Sequence, residues 1–279
     1  MKRIEYEIPL DCEIMALGDT HLGSVLCHRG GIQRIIDYIK SGENRYWVHM
    51  GDWIEAIKTD DPRYDADTTQ QSTPLKQAQD AIDIFRPIAD KGICGLLGNH
   101  ELKLHRYGNL SKLICEGIGI PYGTYASRVV FKADKKDIFK AFLWHGPTKG
   151  QISSNAKDWE QRQANMRAAL KMKLKYKMSD CAIMLMGHVH KLIVVEPTKQ
   201  LFIRDGKDGV RHDYLSGKQT GDYIDPDLRW YGATGAFLKL YHDGVSGYAE
   251  IAGYDPVELG CLKIIIQGGI IRDIERMVI

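Results

Sequence analysis

Apolar positions in the first 145 residues alternate between short unbroken runs and stretches of helical period, the pattern of an α/β chain. Ile14 to Leu17 reads as a buried strand that breaks at Gly18. Ile32, Ile35, Ile36 and Ile39 then fall at i, i+3, i+4 and i+7, one face of a helix that Ser41-Gly42 ends. Arg45 to Met50 predicts the second strand, and the polar, Asp- and Thr-rich stretch 58–74 predicts a lid or mobile loop. Leu75, Ala78, Ile82, Phe85 and Ala89 form the inner stripe of the next helix, and Ile93 to Leu97 forms a third strand ending at Gly98. Leu110, Leu113 and Ile114 mark a short helix; Arg128 to Phe131 and Phe139 to Trp144 read as strands.

Beyond this point the pattern changes. Trp159 to Met178 predicts a long helix with Met166, Leu170, Leu174 and Met178 on one stripe, although the Lys/apolar alternation from Lys171 to Met178 would equally suit an edge strand. Cys181 to Met186 is another apolar strand ending in glycine, and residues 192 to 279 hold short β-rich runs between Asp-Gly, Ser-Gly and Asp-Pro turns. No interdomain linker interrupts the chain, so residues 1–279 are expected to form one domain, with a core at 13–190 and a β-rich closing half at 191–279.

Composition narrows the class without selecting a function. With 44% apolar and 27% charged residues in 279, the chain is globular and large enough to bury a core without disulfides or structural zinc. Its six cysteines are scattered with no C-x-x-C pair, as expected of buried thiols in a reducing compartment. Met1 to Pro9 lacks the apolar stretch of a secretory signal, and no apolar run approaches the ~20 residues of a membrane span, which predicts a cytoplasmic protein without a membrane partner. A net charge of +2 neither requires nor excludes a polyanionic partner.

The chemically versatile residues recur at the carboxyl ends of the predicted strands, where open α/β sheets place ligands. The strands end in Gly18-Asp19-Thr20-His21, Gly51-Asp52, Gly98-Asn99-His100-Glu101, Trp144-His145-Gly146 and Gly187-His188-Val189-His190. Two aspartates, one asparagine and four histidines make a mixed oxygen and nitrogen donor set that suits manganese, iron, zinc or a similar divalent ion better than calcium or a thiolate zinc site. Seven donors exceed one tetrahedral ion and fit two ions that share a bridging carboxylate.

In these residues the chain resembles the calcineurin-like metallophosphoesterase superfamily. The family pattern D-x-H, GD, GNH[DE], H, GHxH is met in order by Asp19-Thr-His21, Gly51-Asp52, Gly98-Asn-His-Glu101, His145 and Gly187-His-Val-His190. The resemblance implies a four-layer αββα sandwich with a central β-sandwich and a dinuclear metal site at the strand ends. It implies that Asp19, His21 and His190 hold one ion, that Asn99, His145 and His188 hold the other, and that Asp52 bridges them. It implies two divalent ions, Mn²⁺ foremost and Fe, Zn, Ni, Co or Mg as substitutes. Paired ions acidify a bridging water so that hydroxide attacks phosphorus directly, and the resemblance makes His100 the acid for the leaving oxygen. Glu101 or Glu55 is expected to orient a neighbouring histidine.

Other features read more plainly. His28, His49, His105, His212 and His242 are taken as structural, His49 packed within its strand. Lysines at 171, 173, 175 and 177 recur every second residue near Arg162 and Arg167; that spacing spreads charge around a helix and reads as a solvated face in preference to its alternative, a groove that tracks nucleic-acid phosphates. Tyr214, Tyr223, Trp230, Tyr231, Tyr241, Tyr248 and Tyr254 could stack bases but read more simply as core and edge packing.

Departures bear on the substrate. The protein-phosphatase branch carries G-D-x-V-D-R-G and an arginine before G-N-H-E, whereas here Gly51-Asp-Trp-Ile-Glu-Ala56 and Leu97 stand, so the phosphate-gripping arginines are absent. Asp19-Thr-His-Leu-Gly23 is similar to the opening of double-strand-break repair nucleases, and the tail from Thr234 to Gly260 resembles exonuclease-like phosphoesterases of bacterial viruses. The expected activity is phosphodiester hydrolysis, with DNA or RNA as substrate. The alternatives are a phosphomonoesterase acting on nucleotides or small phosphates, and a non-catalytic scaffold that binds metal or nucleic acid.

Overall fold

A computed structural model of the chain describes residues 1–57, 59–61, 64, 66–215, 219–246 and 248–279. The strands are β1 (Lys2–Glu7), β2 (Cys12–Leu17), β3 (Arg45–His49), β4 (Gly92–Gly95), β5 (Ala126–Ala133), β6 (Lys136–Trp144), β7 (Ile183–Met186), β8 (Leu192–Val195), β9 (Gln200–Gly206), β10 (Gly209–Leu215), β11 (Trp230–Thr234), β12 (Gly260–Gln267) and β13 (Ile270–Val278). The α-helices are α1 (Arg29–Ser41), α2 (Pro74–Phe85), a single turn α3 (Asn99–Leu102), α4 (Leu110–Ile118), α5 (Trp159–Leu174) and α6 (Tyr248–Ile251).

The strands form a six-stranded sheet ordered β1-β5-β6-β7-β11-β8, a five-stranded sheet ordered β13-β12-β2-β3-β4, and a separate β9–β10 hairpin. The pleat decides the layering, because alternate side chains leave a strand on opposite faces. From β2, Ile14 and Ala16 enter a core shared with Val129, Phe131, Leu143, Ile183 and Leu185 of the other sheet. Met15 and Leu17 face the other way, against Ile32, Ile35, Ile36 and Ile39 of α1 and Ala78, Ile82 and Phe85 of α2. On the far side, Phe142, Met184 and Met186 pack on Met166, Leu170 and Leu174 of α5. The layers therefore run helix, sheet, sheet, helix, an αββα sandwich.

Strands β2, β3 and β4 are mutually parallel, as are β6 and β7, so their carboxyl ends gather at one edge of the sandwich. Tryptophan indoles stiffen that edge: Trp47 Nε1 donates to Ile88 O at 2.7 Å and Trp53 Nε1 to Leu96 O at 2.9 Å.

Several expectations shift. Lys2–Glu7 forms an edge strand parallel to β5 that its charged composition hid. Leu75, Leu113 and Trp159 lie on exposed helix faces, and Met178 lies beyond the end of α5 with a left-handed backbone. Of the tail aromatics read as packing residues, Tyr231 is buried and Trp230 half-buried, but Tyr214, Tyr223, Tyr241 and Tyr254 are exposed.

Of the expected lid at 58–74, Lys58, Pro62, Arg63 and Asp65 lie outside the described residues. Its later half is tied to the loop after β2: Val25 N donates to Thr68 O, and the amides of Gln70 and Gln71 donate to Gly23 O. All six cysteines are free and buried. Among the described residues no helix is long and apolar enough to cross a membrane.

Candidate metal centre

Each of the five parallel strand ends delivers donors to the same cleft. The loops after β2 and β3 are laced together by Asp19 N to Gly51 O (2.9 Å), Thr20 N to Asp52 O (2.9 Å) and Leu22 N to Trp53 O (3.0 Å). His49 sits beneath them, its ring stacked on Trp53 at 3.5 Å. Its Nδ1 accepts from Gly51 N, so its other nitrogen donates to Thr20 Oγ1, whose hydroxyl donates to Trp53 O. His49 is thus a buried neutral brace, as its place in the strand led us to expect, and it also shapes the two loops above.

The backbone is left-handed at Asp19, His21 and Asp52 in these laced loops and at His188 and His190 after β7, with φ of 51°, 46°, 50°, 70° and 51°. Non-glycine residues held there cost of order 1–3 kcal/mol each, and such strain concentrates at functional sites. It aims the five side chains inward.

The donors form two groups joined by one carboxylate. Asp19, His21 and His190 offer ligand atoms that all lie within 4.8 Å of one another, and so do Asp52, His145 and His188. Asp52 Oδ2 stands 3.4 Å from His145 Nε2 and 3.9 Å from His21 Nε2, between the groups. Asn99 Oδ1 is 2.9 Å from His145 Nε2. Asp19, His21, Asp52 and His145 are almost completely buried, whereas the side chains of His190 and His100 retain 22% and 13% exposure, so the cleft opens on their side.

The chemistry of these donors fits divalent cations. His145 Nδ1 donates to Met50 O at 2.7 Å, and His21 Nδ1 donates to Glu55 Oε2 at 3.0 Å. Both rings therefore turn a lone-pair nitrogen inward, toward atoms that also only accept. His21 Nε2 faces His190 Nε2 at 3.2 Å, and His190 Nε2 faces Asp19 Oδ1 at 3.3 Å. Acceptors converge on acceptors, an arrangement that cations satisfy.

Without metal, protons take that place. For His21, burial opposes the charge, but the hydrogen bond and charge of Glu55 with the charges of Asp52 and Asp19 outweigh it and raise the pKa to about 9. His145 is likewise disfavoured by burial and raised to about 9, chiefly by Asp52. His188 moves the opposite way, to about 4, through burial and the neighbouring His145.

Stability follows with opposite signs. A raised histidine stabilises the fold fully below its ordinary value near 6.5 and loses that contribution as pH rises through 9; a depressed one contributes above 6.5 and loses it as pH falls through 4. The EDTA-treated protein should therefore melt at its highest temperature near pH 6.5, and its Tm should fall by several degrees by pH 9. Saturating Mn²⁺ should remove the alkaline fall. A metal-free Tm that stays flat from pH 6.5 to 9 would contradict this charge balance.

Solved structures that resemble the chain include the NAD nucleotidase NadN of Haemophilus influenzae, with a TM-score of 0.42 and 13% identity over 95% of this chain and 49% of that chain. The calcineurin-like phosphoesterase YfkN from Bacillus subtilis gives 0.32 and 15% over 78% and 94%, and the Pseudomonas putida nuclease MPE gives 0.34 and 10% over 95% and 87%. The chain spans about half the length of the NadN chain. No protein-family model matches the sequence, and no curated protein matches it. The chain is an αββα sandwich with its five motifs gathered at one edge.

Within this cleft the two candidate orienting glutamates do different things. Glu55 holds His21, and its backbone oxygen accepts from His100 Nδ1 at 2.6 Å. Glu101 instead has its carboxylate accept from Ile54 N and Gly98 N, both at 3.0 Å, and so clamps the β3 and β4 loops together. His100 lies edge-to-face on His21, ring centroids 4.6 Å apart, and its backbone N–H donates to Asp52 Oδ1 at 2.9 Å. His105 is exposed in the turn that follows.

One residue escaped the sequence reading. Tyr125, just before β5, lies edge-to-face on His145, and its buried hydroxyl finds no hydrogen-bond partner among the described residues. It belongs to no motif, so only its position reveals it.

Proposed function

We propose that the chain is a dinuclear metal-dependent phosphoester hydrolase that cleaves phosphodiesters, with DNA or RNA as substrate class and Mn²⁺ as the foremost metal. The observation that supports this reading is the Asp52 carboxylate, set between one group of Asp19, His21 and His190 and another of His145, His188 and Asn99. Two ions held there would supply an acidified water as nucleophile and positive charge for the phosphoryl oxygens.

The remaining work falls to the chain's own side chains. Glu55 and Met50 O fix the inward nitrogens of His21 and His145, and the left-handed turns keep Asp19 and His190 in register. His100 keeps its Nδ1 proton on Glu55 O, so the proton for the leaving oxygen sits on Nε2 of the charged ring. Burial lowers the pKa of that ring below its ordinary value, and the nearby Asp52 carboxylate opposes the fall without reversing it. A leaving oxygen has a donor beside the cleft mouth.

The test is hydrolysis of bis(p-nitrophenyl) phosphate across a series of divalent metals. His100→Asn is expected to slow the Mn²⁺-stimulated reaction on the order of 10²-fold or more while the protein keeps its metal content. Unchanged turnover in that variant would remove the acid role. A parallel panel of single-stranded DNA, duplex DNA, RNA and mononucleotides sets the substrate class; hydrolysis of mononucleotides alone would replace the diesterase reading with the monoesterase one.

A further inference from the structure

Strand β8 runs antiparallel to β11 and so leaves the metal cleft for the opposite edge of the sandwich, where Thr198 N donates to Asp227 O at 2.7 Å. The β9–β10 hairpin grows from that far edge. Among the described residues no third strand pairs with it. A two-stranded ribbon alone in water is marginally stable, and further strands are the usual remedy. This ribbon is also apolar: Leu201, Ile203, Val210 and Tyr214 share one face, and the last three are 68%, 68% and 67% exposed.

The pairing register shows what the free edge of β10 offers. Gly206 pairs with Gly209 across the two-residue turn Lys207-Asp208, and such a closing pair exchanges both hydrogen bonds. Counting on from it, Val210, His212 and Tyr214 turn their N–H and C=O groups away from β9, an edge ready to accept another strand. On the second face Arg204 stands directly opposite Arg211, like charges that destabilise a strand pair. Asp213 forms an ion pair with Arg204, while Arg211 reaches the exposed Asp208 at 3.7 Å.

A second β10, antiparallel and centred on His212, answers these features together. Arg211 then faces the second copy's Asp213, and Val210 faces its Tyr214. These are an opposite-charge pair and an aromatic–β-branched pair, and a twofold axis makes each of them twice. Arg211 and Asp213 fall at the non-hydrogen-bonded positions of the new ladder, where side chains come closest. The same operation on β9, centred on Ile203, sets Phe202 against Arg204 and Leu201 against Asp205. Self-complementarity belongs to β10.

We propose that β10 is a dimerisation edge, on which two copies of this chain pair antiparallel about His212 to make one four-stranded sheet. Each hairpin thereby gains the further strands that it lacks. The edge lies away from the cleft, so both metal centres stay open, and dimerisation does not depend on the activity assigned to them.

The test is sedimentation of the protein across a concentration series, with R211D and the charge swap R211D/D213R beside the wild type. The wild type should shift from monomer to dimer as concentration rises. R211D sets a carboxylate opposite the second copy's Asp213 at both symmetry-related positions, and should raise the dimer Kd about 10-fold or more. The swap restores opposite charges across the twofold axis and should recover most of that affinity, which a merely structural role for Arg211 would not allow.

A wild-type protein that stays monomeric to its highest soluble concentration would overturn the proposal and leave the edge to a strand of another protein. A dimer that R211D leaves equally tight, or that the swap fails to restore, would overturn it as well, by placing the contact elsewhere on the surface. Failure of the phosphodiesterase reading would change none of these outcomes.

Discussion

Asp52→Asn is expected to weaken both metal positions at once, lowering the bound metal from two equivalents toward none at micromolar Mn²⁺ and cutting phosphodiester turnover by roughly 10²–10³-fold. The substitution keeps volume and shape, and the amide oxygen still accepts from His100 N, the 2.9 Å bond that anchors the loop. What it removes is the negative charge between His145 Nε2 and His21 Nε2. Substitution of a ligand belonging to one group has a different signature: His190→Ala should lower the content by about one equivalent and leave the His145 group loaded. Elemental analysis of the two variants side by side separates a bridge from an ordinary ligand. Two full equivalents in Asp52→Asn would rule out the bridge.

Much of this arrangement was legible in the chain. Apolar runs that stop at Gly18, Gly51, Gly98 and Gly187 mark strand ends facing a cleft, and each is followed by a side chain that binds cations or protons. Strand β1 stayed hidden because Lys2-Arg-Ile-Glu-Tyr-Glu7 is mostly charged, and an edge strand buries few of its residues. Leu75 reads as part of the inner stripe because it is apolar, whereas the helix phase is set by stronger neighbours such as Ile82 and Phe85 and leaves Leu75 exposed.

Within the cleft, residue type alone did not distinguish Glu55 from Glu101, since each adjoins a motif. Tertiary geometry divides them: one carboxylate reaches an imidazole, and the other reaches two backbone amides. The even Lys spacing was informative about the helix but silent about its surroundings, where Lys171 pairs with Asp227 and Lys177 lies over the Trp144 ring.

Gly98→Ala is expected to be the most damaging single methyl that can be added to this protein's motif loops. A Cβ at Gly98 would stand 2.0 Å from Asp52 N and 2.1 Å from Asp52 Oδ1, inside any real contact distance. Neither neighbour can yield cheaply. Asp52 is held by the lacing of the β2 and β3 loops, and Gly98 N is tied to Glu101 Oε2 at 3.0 Å. Behind them, Gly51 has a φ of +98° and approaches Gly98 so closely that its own added Cβ would lie 2.9 Å from Gly98 Cα. The loops after β3 and β4 can touch only because both lack side chains here.

The methyl must therefore push the β4 loop off the Asp52 carboxylate, at a cost around or above the upper end of about 1–3 kcal/mol for overpacking, or roughly 5–10 °C in Tm. A displacement near 1 Å at the bridge is worth on the order of 10²-fold in rate, so activity should fail before folding does. Gly30→Ala supplies the contrast: it lies in α1, its Cβ would meet only His28 Cε1 at 3.9 Å, and alanine there should stabilise by up to about 0.5–1 kcal/mol. Equal melting temperatures for the two variants, or full metal-dependent turnover in Gly98→Ala, would show that the two loops are not pressed together as described.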